Sequence, residues 1–311
     1  MNYPFGKPIF DNRKYLANIK SILNSGNLVH GMFMSKFENK FKKFTSAKDA
    51  ISVSSCTTGM QLFYHVLGIS NGDEVIVSAQ THVATAHAIE SSGAKPIFVD
   101  SELNSGNLRI SDIEKKITKK TKAITIVHYL GNPVDMIEIN KLAKKYNLFV
   151  LEDCALALGA KINKKHVGLF GDAGFFSFYP VKHITTGEGG MIILKNRKFS
   201  KMIRKMRAFG YNKNLNQRKI PGDYDIDTFG FNFRMSEINA SIGCLQISNI
   251  KKFLSIRKKN YRILYDGLKK FKSFNIIEHL QNKKFQSSYY CISLILNPKL
   301  FKSRRTIIKK L

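Results

Sequence analysis

One lysine stands apart from the many in this chain. Lys182 lies in the run Phe176-Ser177-Phe178-Tyr179-Pro180-Val181-Lys182-His183-Ile184-Thr185-Thr186-Gly187-Glu188-Gly189-Gly190, where an apolar strand breaks at Pro180 and then turns through a glycine-rich loop. An amine held off a strand end, with few other charges nearby, can condense with an aldehyde cofactor, and pyridoxal phosphate is the usual one. In so basic a chain a lysine is otherwise a solvated surface group. Asp153 follows Leu148-Phe149-Val150-Leu151-Glu152, at the C-terminal end of a strand, where open α/β sheets place ligand-binding side chains. A carboxylate there can pair with a protonated pyridine nitrogen and keep the ring an electron sink, although an aspartate at a strand end also serves as a helix cap. Ser55-Cys56-Thr57-Thr58-Gly59-Met60 supplies backbone donors, small hydroxyls and a helix start, which is what a phosphate needs and what a capped helix looks like in any case.

These residues need a sheet to hold them. Seven short β-rich runs, at 51–54, 74–79, 95–100, 123–128, 148–152, 174–178 and 189–194, recur with helical patterns between most of them, at about 58–67, 83–91, 135–146 and 200–208. Several of the strands are continuous apolar runs, as expected of strands covered on both faces, so the class is α/β with a largely parallel sheet. After about residue 247 the pattern changes. Residues 250–271 read as one long amphipathic helix and 289–296 as a strand leading toward a second, smaller domain. The expected division is a large domain over 1–248 and the start of a small C-terminal domain over 249–311. Residues 300–311, with apolar Leu300, Phe301, Ile307, Ile308 and Leu311, read as an amphipathic helix without a Gly or Pro stop signal.

The 311 residues are enough for about two domains with a large core, and 43% of them are hydrophobic. No apolar run is long enough to span a bilayer, and Met1-Asn2-Tyr3-Pro4-Phe5-Gly6 lacks the basic and apolar regions of a signal peptide, so a cytoplasmic protein with no membrane partner is expected. Cys56, Cys154, Cys244 and Cys291 form no C-x-x-C pair, which suggests neither a zinc site nor a disulfide framework. The net charge of +29 invites a nucleic-acid reading. Its lysines, however, are spread in pairs such as Lys115-Lys116, Lys144-Lys145 and Lys251-Lys252, with no RNA- or DNA-binding motif, so they read as solvated helix faces. An anionic substrate would gain from the field.

The run around Lys182 resembles the active-site segment of the pyridoxal-phosphate-dependent sugar aminotransferases of the DegT/DnrJ/EryC1/StrS family, S-F-x-P-x-K-x-[IL]-T-T-G-E-G-G. The resemblance extends through Pro4-Phe5-Gly6-Lys7-Pro8, Gly31-Met32-Phe33-Met34-Ser35-Lys36-Phe37-Glu38, Asn71-Gly72-Asp73-Glu74-Val75-Ile76 and Asn232-Phe233-Arg234-Met235-Ser236-Glu237. It implies transferase fold type I, the aspartate-aminotransferase-like fold, with a seven-stranded large domain that holds the cofactor and a small domain beside it. It also implies roles. Lys182 would bind pyridoxal phosphate and shuttle the proton, and Asp153 would be the pyridine partner. Thr57, Thr58 and Ser177 would hold the phosphate, and His82 would stack on the ring. Asn232 would reach the phosphate of the neighbouring subunit, which makes a homodimer the functional unit. His183, beside the lysine, invites a reading as a base, but Lys182, tethered at the reacting carbon, is the better proton shuttle, so His183 reads as shaping the loop.

Two positions depart from the family pattern. Leu156 stands where the family has His or Gln near the cofactor's phenolic oxygen, and Cys56 where Gly is common. The activity implied is transfer of an amino group from an amino-acid donor, glutamate, to a nucleoside-diphosphate-linked keto-deoxy sugar, feeding polysaccharide or glycan synthesis. A sugar dehydratase of the same family would carry His in place of Lys182, and a non-catalytic or truncated relic of the fold is the other rival. The family continues beyond the segment matching the end of this chain, so a C-terminally truncated small domain with exposed apolar surface is expected.

Overall fold

The computed structural model describes residues 6–212, 219–220 and 222–310; Pro4 and Phe5 of the first family-like run and Leu311 of the terminal apolar pattern lie outside them. The chain opens with two helices, α1 (Asn12–Ser25) and α2 (Met32–Thr45), and then alternates strands and helices. These are β1 (Asp49–Val53), α3 (Cys56–Val66), β2 (Glu74–Ser78), α4 (Val83–Glu90), β3 (Lys95–Val99), the short α5 (Ile110–Ile113), β4 (Thr121–Val127), α6 (Met136–Tyr146) and β5 (Phe149–Asp153). A small hairpin, β6 (Lys161–Ile162) and β7 (Lys165–His166), precedes β8 (Ala173–Ser177), β9 (Gly190–Leu194), α7 (Arg197–Met206) and α8 (Glu237–Ser248). The last part holds α9 (Ile250–Leu268), β10 (Phe274–Ile276), β11 (Phe285–Gln286), β12 (Leu294–Leu296) and α10 (Arg304–Lys310).

Among the described residues the main sheet has seven strands in the order β1-β9-β8-β5-β4-β2-β3. The pairs β3–β2, β2–β4, β4–β5 and β5–β8 are parallel, and β9 runs antiparallel to both of its neighbours. The strands are the seven runs expected from the apolar pattern. Two separate apolar clusters cover the two faces, one built on Phe37, Phe41, Ile124 and Phe176, the other on Phe63, Val77, Phe175 and Ile192. That two-sided burial is why the strands read as unbroken apolar runs. At the sheet edge, β3 is less covered and leaves Phe98 48% exposed.

Two runs singled out in the sequence meet at the start of α2. Both Glu237 carboxylate oxygens accept backbone N–H bonds there, from Phe33 at 2.7 Å and Met34 at 3.0 Å, satisfying helix donors that α2 itself leaves open. Asn249, at φ −100° and ψ 0°, separates α8 from α9. The long helix ends at Leu268 rather than near residue 271, and Ile263 and Leu264 on it are exposed.

The expected strand over 289–296 shrinks to the three residues of β12, paired with β10. Tyr289 sits at φ +51°, a left-handed conformation that no strand accepts. Neighbouring backbone groups bond to another loop instead: Ser288 N–H to Gly131 O at 3.2 Å and Tyr290 N–H to Leu130 O at 3.3 Å. Residues 298–303 form a 3₁₀ turn leading into α10, where the sequence pattern suggests a single helix. No helix among the described residues is long and apolar enough to cross a membrane.

Buried histidines make stability depend on pH. His166 accepts from Gly159 N–H at 2.8 Å through Nε2 and donates through Nδ1 to Val167 O at 2.5 Å, an arrangement that only the neutral ring satisfies. Burial pushes its pKa down to about 4, and burial together with the Arg257 charge pushes His183 down to about 3. The unfolded rings titrate near 6.5 and the folded ones lower, so the stabilisation is complete above about pH 6.5 and is lost as pH falls toward 4. Each ring is expected to cost about 2 kcal/mol at pH 5 relative to pH 7. Denaturant midpoints at the two pH values check this, and equal unfolding free energies would contradict it.

Candidate active site

Strand ends and helix starts converge on a cavity of about 380 Å³ lined by Ser55, Cys56, Thr57, Met60, His82, Ala84, Thr85, Asp153, Ala155, Ser177, Tyr179, Lys182 and Glu188. The cavity brings together five of the seven expected residues: Thr57, His82, Asp153, Ser177 and Lys182. Thr58 and Asn232 are not in its lining. Thr58 Oγ1 closes a capping box, accepting Ser55 N–H at 3.0 Å and donating to Ser55 O at 2.9 Å, while Ser55 Oγ accepts Thr58 N–H at 3.1 Å. Its hydroxyl shapes the helix start. Asn232 is exposed, with Oδ1 accepting from Arg234 Nε at 3.1 Å.

The floor of the site is the start of α3. Strand β9 passes so close that a Cβ on Gly190 would lie 2.5 Å from Ser55 C and 2.6 Å from Cys56 N, so only glycine lets the sheet and the capped turn meet. Cys56 is the first helical residue of α3 and has no positive φ, so a side chain where glycine is common leaves this turn undistorted. Burial first, and then the Asp153 carboxylate, push the Cys56 thiol well above its ordinary range, which keeps it a neutral lining group.

Asp153, at the end of β5, is buried and held through both oxygens. Thr85 Oγ1 donates to Oδ2 at 2.8 Å and Ala155 N–H donates to Oδ1 at 2.9 Å. With its proton given to Asp153, Thr85 Oγ1 accepts from Thr81 Oγ1 at 2.8 Å, so a short relay from α4 sets the carboxylate's orientation. Thr85 was not apparent from the sequence, where it reads as an ordinary threonine in the first turn of a helix.

The neighbouring Glu152 anchors the strand end. It is fully buried and accepts from His128 Nε2 at 3.0 Å and from the backbone N–H groups of Gly168, Phe170 and Gly171 at 2.7, 2.7 and 2.6 Å. Burial alone would raise its pKa, but His128 and these amides outweigh it and hold the carboxyl below its ordinary value. His128, Glu152 and Cys154 lie close enough together to ligate an ion. Both imidazole nitrogens and both carboxylate oxygens are already committed, however, because Val134 N–H donates to His128 Nδ1 at 3.1 Å, so the cluster is a structural hub.

Lys182 is half-buried in a turn closed by its own N–H to Tyr179 O at 2.9 Å. Burial lowers its amine pKa below the usual lysine range, with Asp153 and Cys56 opposing. His82 caps α4, with Nδ1 accepting Ala84 N–H at 3.2 Å, and this fixes its ring at the cavity wall. His183 is absent from this lining. Its Nε2–H donates to Ser288 O at 3.0 Å, and its Nδ1 has no partner among the described residues. Leu156 is also absent, so nothing polar from that side chain reaches the cavity.

The donor set fits pyridoxal phosphate. It comprises one amine of lowered basicity, one oriented carboxylate, a capped helix start with the Thr57 hydroxyl, and Ser177 across the turn. Ser177 Oγ accepts from Tyr179 N–H only weakly, at 3.4 Å.

Comparisons with known proteins agree with this chemistry. The sequence model of the DegT/DnrJ/EryC1/StrS aminotransferase family matches residues 11–311. The chain is similar to the GDP-perosamine synthase of Escherichia coli O157:H7, at 41% identity over 85% of this chain and 70% of that protein. It superposes on the solved structure of PseC from Helicobacter pylori, an aminotransferase involved in the biosynthesis of pseudoaminic acid, with a TM-score of 0.91, 27% identity and coverage of 100% of this chain and 82% of that one. The PLP-form of Spr1654 from Streptococcus pneumoniae gives a TM-score of 0.89 at 25% identity, over 100% of this chain and 82% of that one.

Proposed function

Because this chain belongs to the DegT/DnrJ/EryC1/StrS aminotransferase family, we propose that it transfers an amino group from glutamate to a GDP-linked keto-deoxy sugar, with pyridoxal phosphate as cofactor. The single observation that carries the reading is the placement of Lys182 and Asp153 in one cavity above the capped start of α3. The similarity to GDP-perosamine synthases supports the choice of nucleotide. Lys182 stands where the dehydratases of the family carry His, which favours amine transfer.

In this reading Thr57, Ser177 and the backbone N–H groups at the start of α3 hold the phosphate, where helix donors and the dipole favour an anion. His82 would cover one face of the ring, and Asp153, oriented by Thr85, would pair with the ring nitrogen. When bound, pyridoxal phosphate supplies a carbonyl carbon for the donor's amine and a ring that takes up the electrons of the broken Cα–H bond. Lys182 would hold the cofactor through Nζ, and its free amine would take the donor's α-proton and return one on the sugar side. Burial suits it to this, since a lysine of lowered basicity has more free base available near neutral pH. Asn232 is assigned to the phosphate of a partner subunit, in keeping with its exposure and its place outside its own chain's cavity.

The test is a coupled assay with glutamate and a panel of GDP-, UDP- and dTDP-linked keto-deoxy sugars. Turnover with a GDP sugar at least about tenfold above the others is expected. Turnover with none of the panel would contradict the function, and preference for another nucleotide would contradict the GDP assignment. The same assay on mixed Lys182→Ala and Asn232→Ala chains tests the shared site. Each variant alone is expected to be inactive and the mixture partly active, and no recovery despite demonstrated subunit exchange would contradict it.

A further inference from the structure

Residues 287–291 form a strap bonded to three loops that leave the strands carrying the site. Ser288 is the knot. Its N–H donates to Gly131 O at 3.2 Å, in the loop after β4, and its Oγ donates to Leu156 O at 3.1 Å, three residues past Asp153. Its own carbonyl accepts from His183 Nε2 at 3.0 Å, one residue past Lys182. Ser288 is 1% exposed, and the fit at this point is tight: a Cβ on Gly131 would lie 2.1 Å from Ser288 Oγ. Next in the strap, Tyr290 O accepts from Arg257 Nη1 at 2.7 Å, and Arg257 Nη2 reaches Lys182 O at 3.5 Å. The Tyr290 ring centroid lies 5.5 Å from Lys182 Nζ.

We propose that Ser288 is a positioning residue, which fixes the Lys182 turn and the Asp153 loop relative to one another from outside the cofactor cavity. Asp153 ends β5 and Lys182 follows β8; the two strands pair in the sheet as far as Asp153 and Phe175, and no hydrogen bond among the described residues joins the two side chains directly. Beyond the sheet, Ser288 ties the loop at Leu156 to the turn at His183, through its hydroxyl on one side and its carbonyl on the other. Leu156, which brings no polar group to the cavity, takes part through its main chain as the acceptor of that hydroxyl. The role rests on the assignment of Lys182 and Asp153 above.

Ser288→Ala removes the link to Leu156 and leaves both backbone bonds in place. The full chain loaded with cofactor is expected to lose between about 10- and 100-fold in kcat, with KM for glutamate and for the sugar nucleotide within about twofold of the parent, because misplacement of reacting groups acts on the chemical step. In the cofactor-free chain, amide hydrogen exchange is expected to rise about tenfold or more in peptides covering 154–158 and 182–185, and to stay unchanged in β1 and α2. Thr45→Ala is the control: it deletes a buried hydroxyl bonded to Phe41 O at 2.9 Å, outside the cavity lining. Unchanged exchange in both loops, or a kcat loss matched by Thr45→Ala at equal melting temperature, would overturn the role. If the parent chain transfers no amine, the functional reading has failed, and the exchange measurement alone still decides for or against the clamp.

Discussion

Lys182→Ala is expected to abolish amine transfer, with a loss of at least about a thousandfold, because it deletes both the covalent anchor and the proton carrier in one step. No second lysine lines the cavity to replace it as the anchor. Among the ionisable groups lining the cavity, the Cys56 thiol is held protonated by burial and by Asp153, and His82 is engaged through Nδ1 in capping α4. His183, the adjacent residue in sequence, lies outside the lining with its Nε2 committed to Ser288 O. The fold should survive, since the Lys182 amine makes no ion pair among the described residues and the turn is closed by backbone. Steady-state assay of the variant with its melting curve checks both halves. Transfer at even a hundredth of the parental rate in a folded variant would contradict the assignment.

Asp153→Asn comes next in size. The amide Oδ1 can still accept from Ala155 N–H while Nδ2 donates to Thr85 Oγ1, whose own proton can turn to Thr81 Oγ1, so the loop should keep its shape while the negative charge assigned to the ring nitrogen disappears. Cofactor binding should persist, because the phosphate is held elsewhere. Removal of the α-proton of glutamate should slow by about a hundredfold or more, the scale on which a preoriented electrostatic partner contributes. Single-turnover kinetics with α-deuterated glutamate reads that step directly. An unchanged rate would refute the pairing, and loss of cofactor binding would place Asp153 among the structural residues with Glu152.

Much of the fold was legible because burial on both faces leaves a plain signature. Runs such as Val75-Ile76-Val77 and Met191-Ile192-Ile193 have no polar member to suggest any other element, and each proved to be a strand of the main sheet. The site was legible where a residue type is rare in its setting: a lysine after a strand-breaking proline, an aspartate at a strand end, hydroxyls at a helix start. Roles that depend on long-range approach were not. Thr85 is an ordinary helical threonine until the start of α4 meets Asp153 at the end of β5, and Ser288 immediately precedes a segment, 289–296, whose apolar pattern reads as a strand. Hydrogen bonds to Leu130 and Gly131, more than 150 residues earlier in the chain, turn that segment at Tyr289 instead. Thr58 illustrates the opposite limit, since its position at a helix start suits phosphate binding and capping equally, and the structure commits its hydroxyl to the cap.

The central claim is that Lys182 is the amine that carries the cofactor. Borohydride reduction of the pyridoxal-phosphate-loaded chain, followed by digestion and mass spectrometry of every lysine-containing peptide, tests it most directly. The account predicts the reduced cofactor mass on the peptide bearing Lys182 and on no other, and its absence after Lys182→Ala. Cofactor mass on a different lysine, or on none, would contradict it.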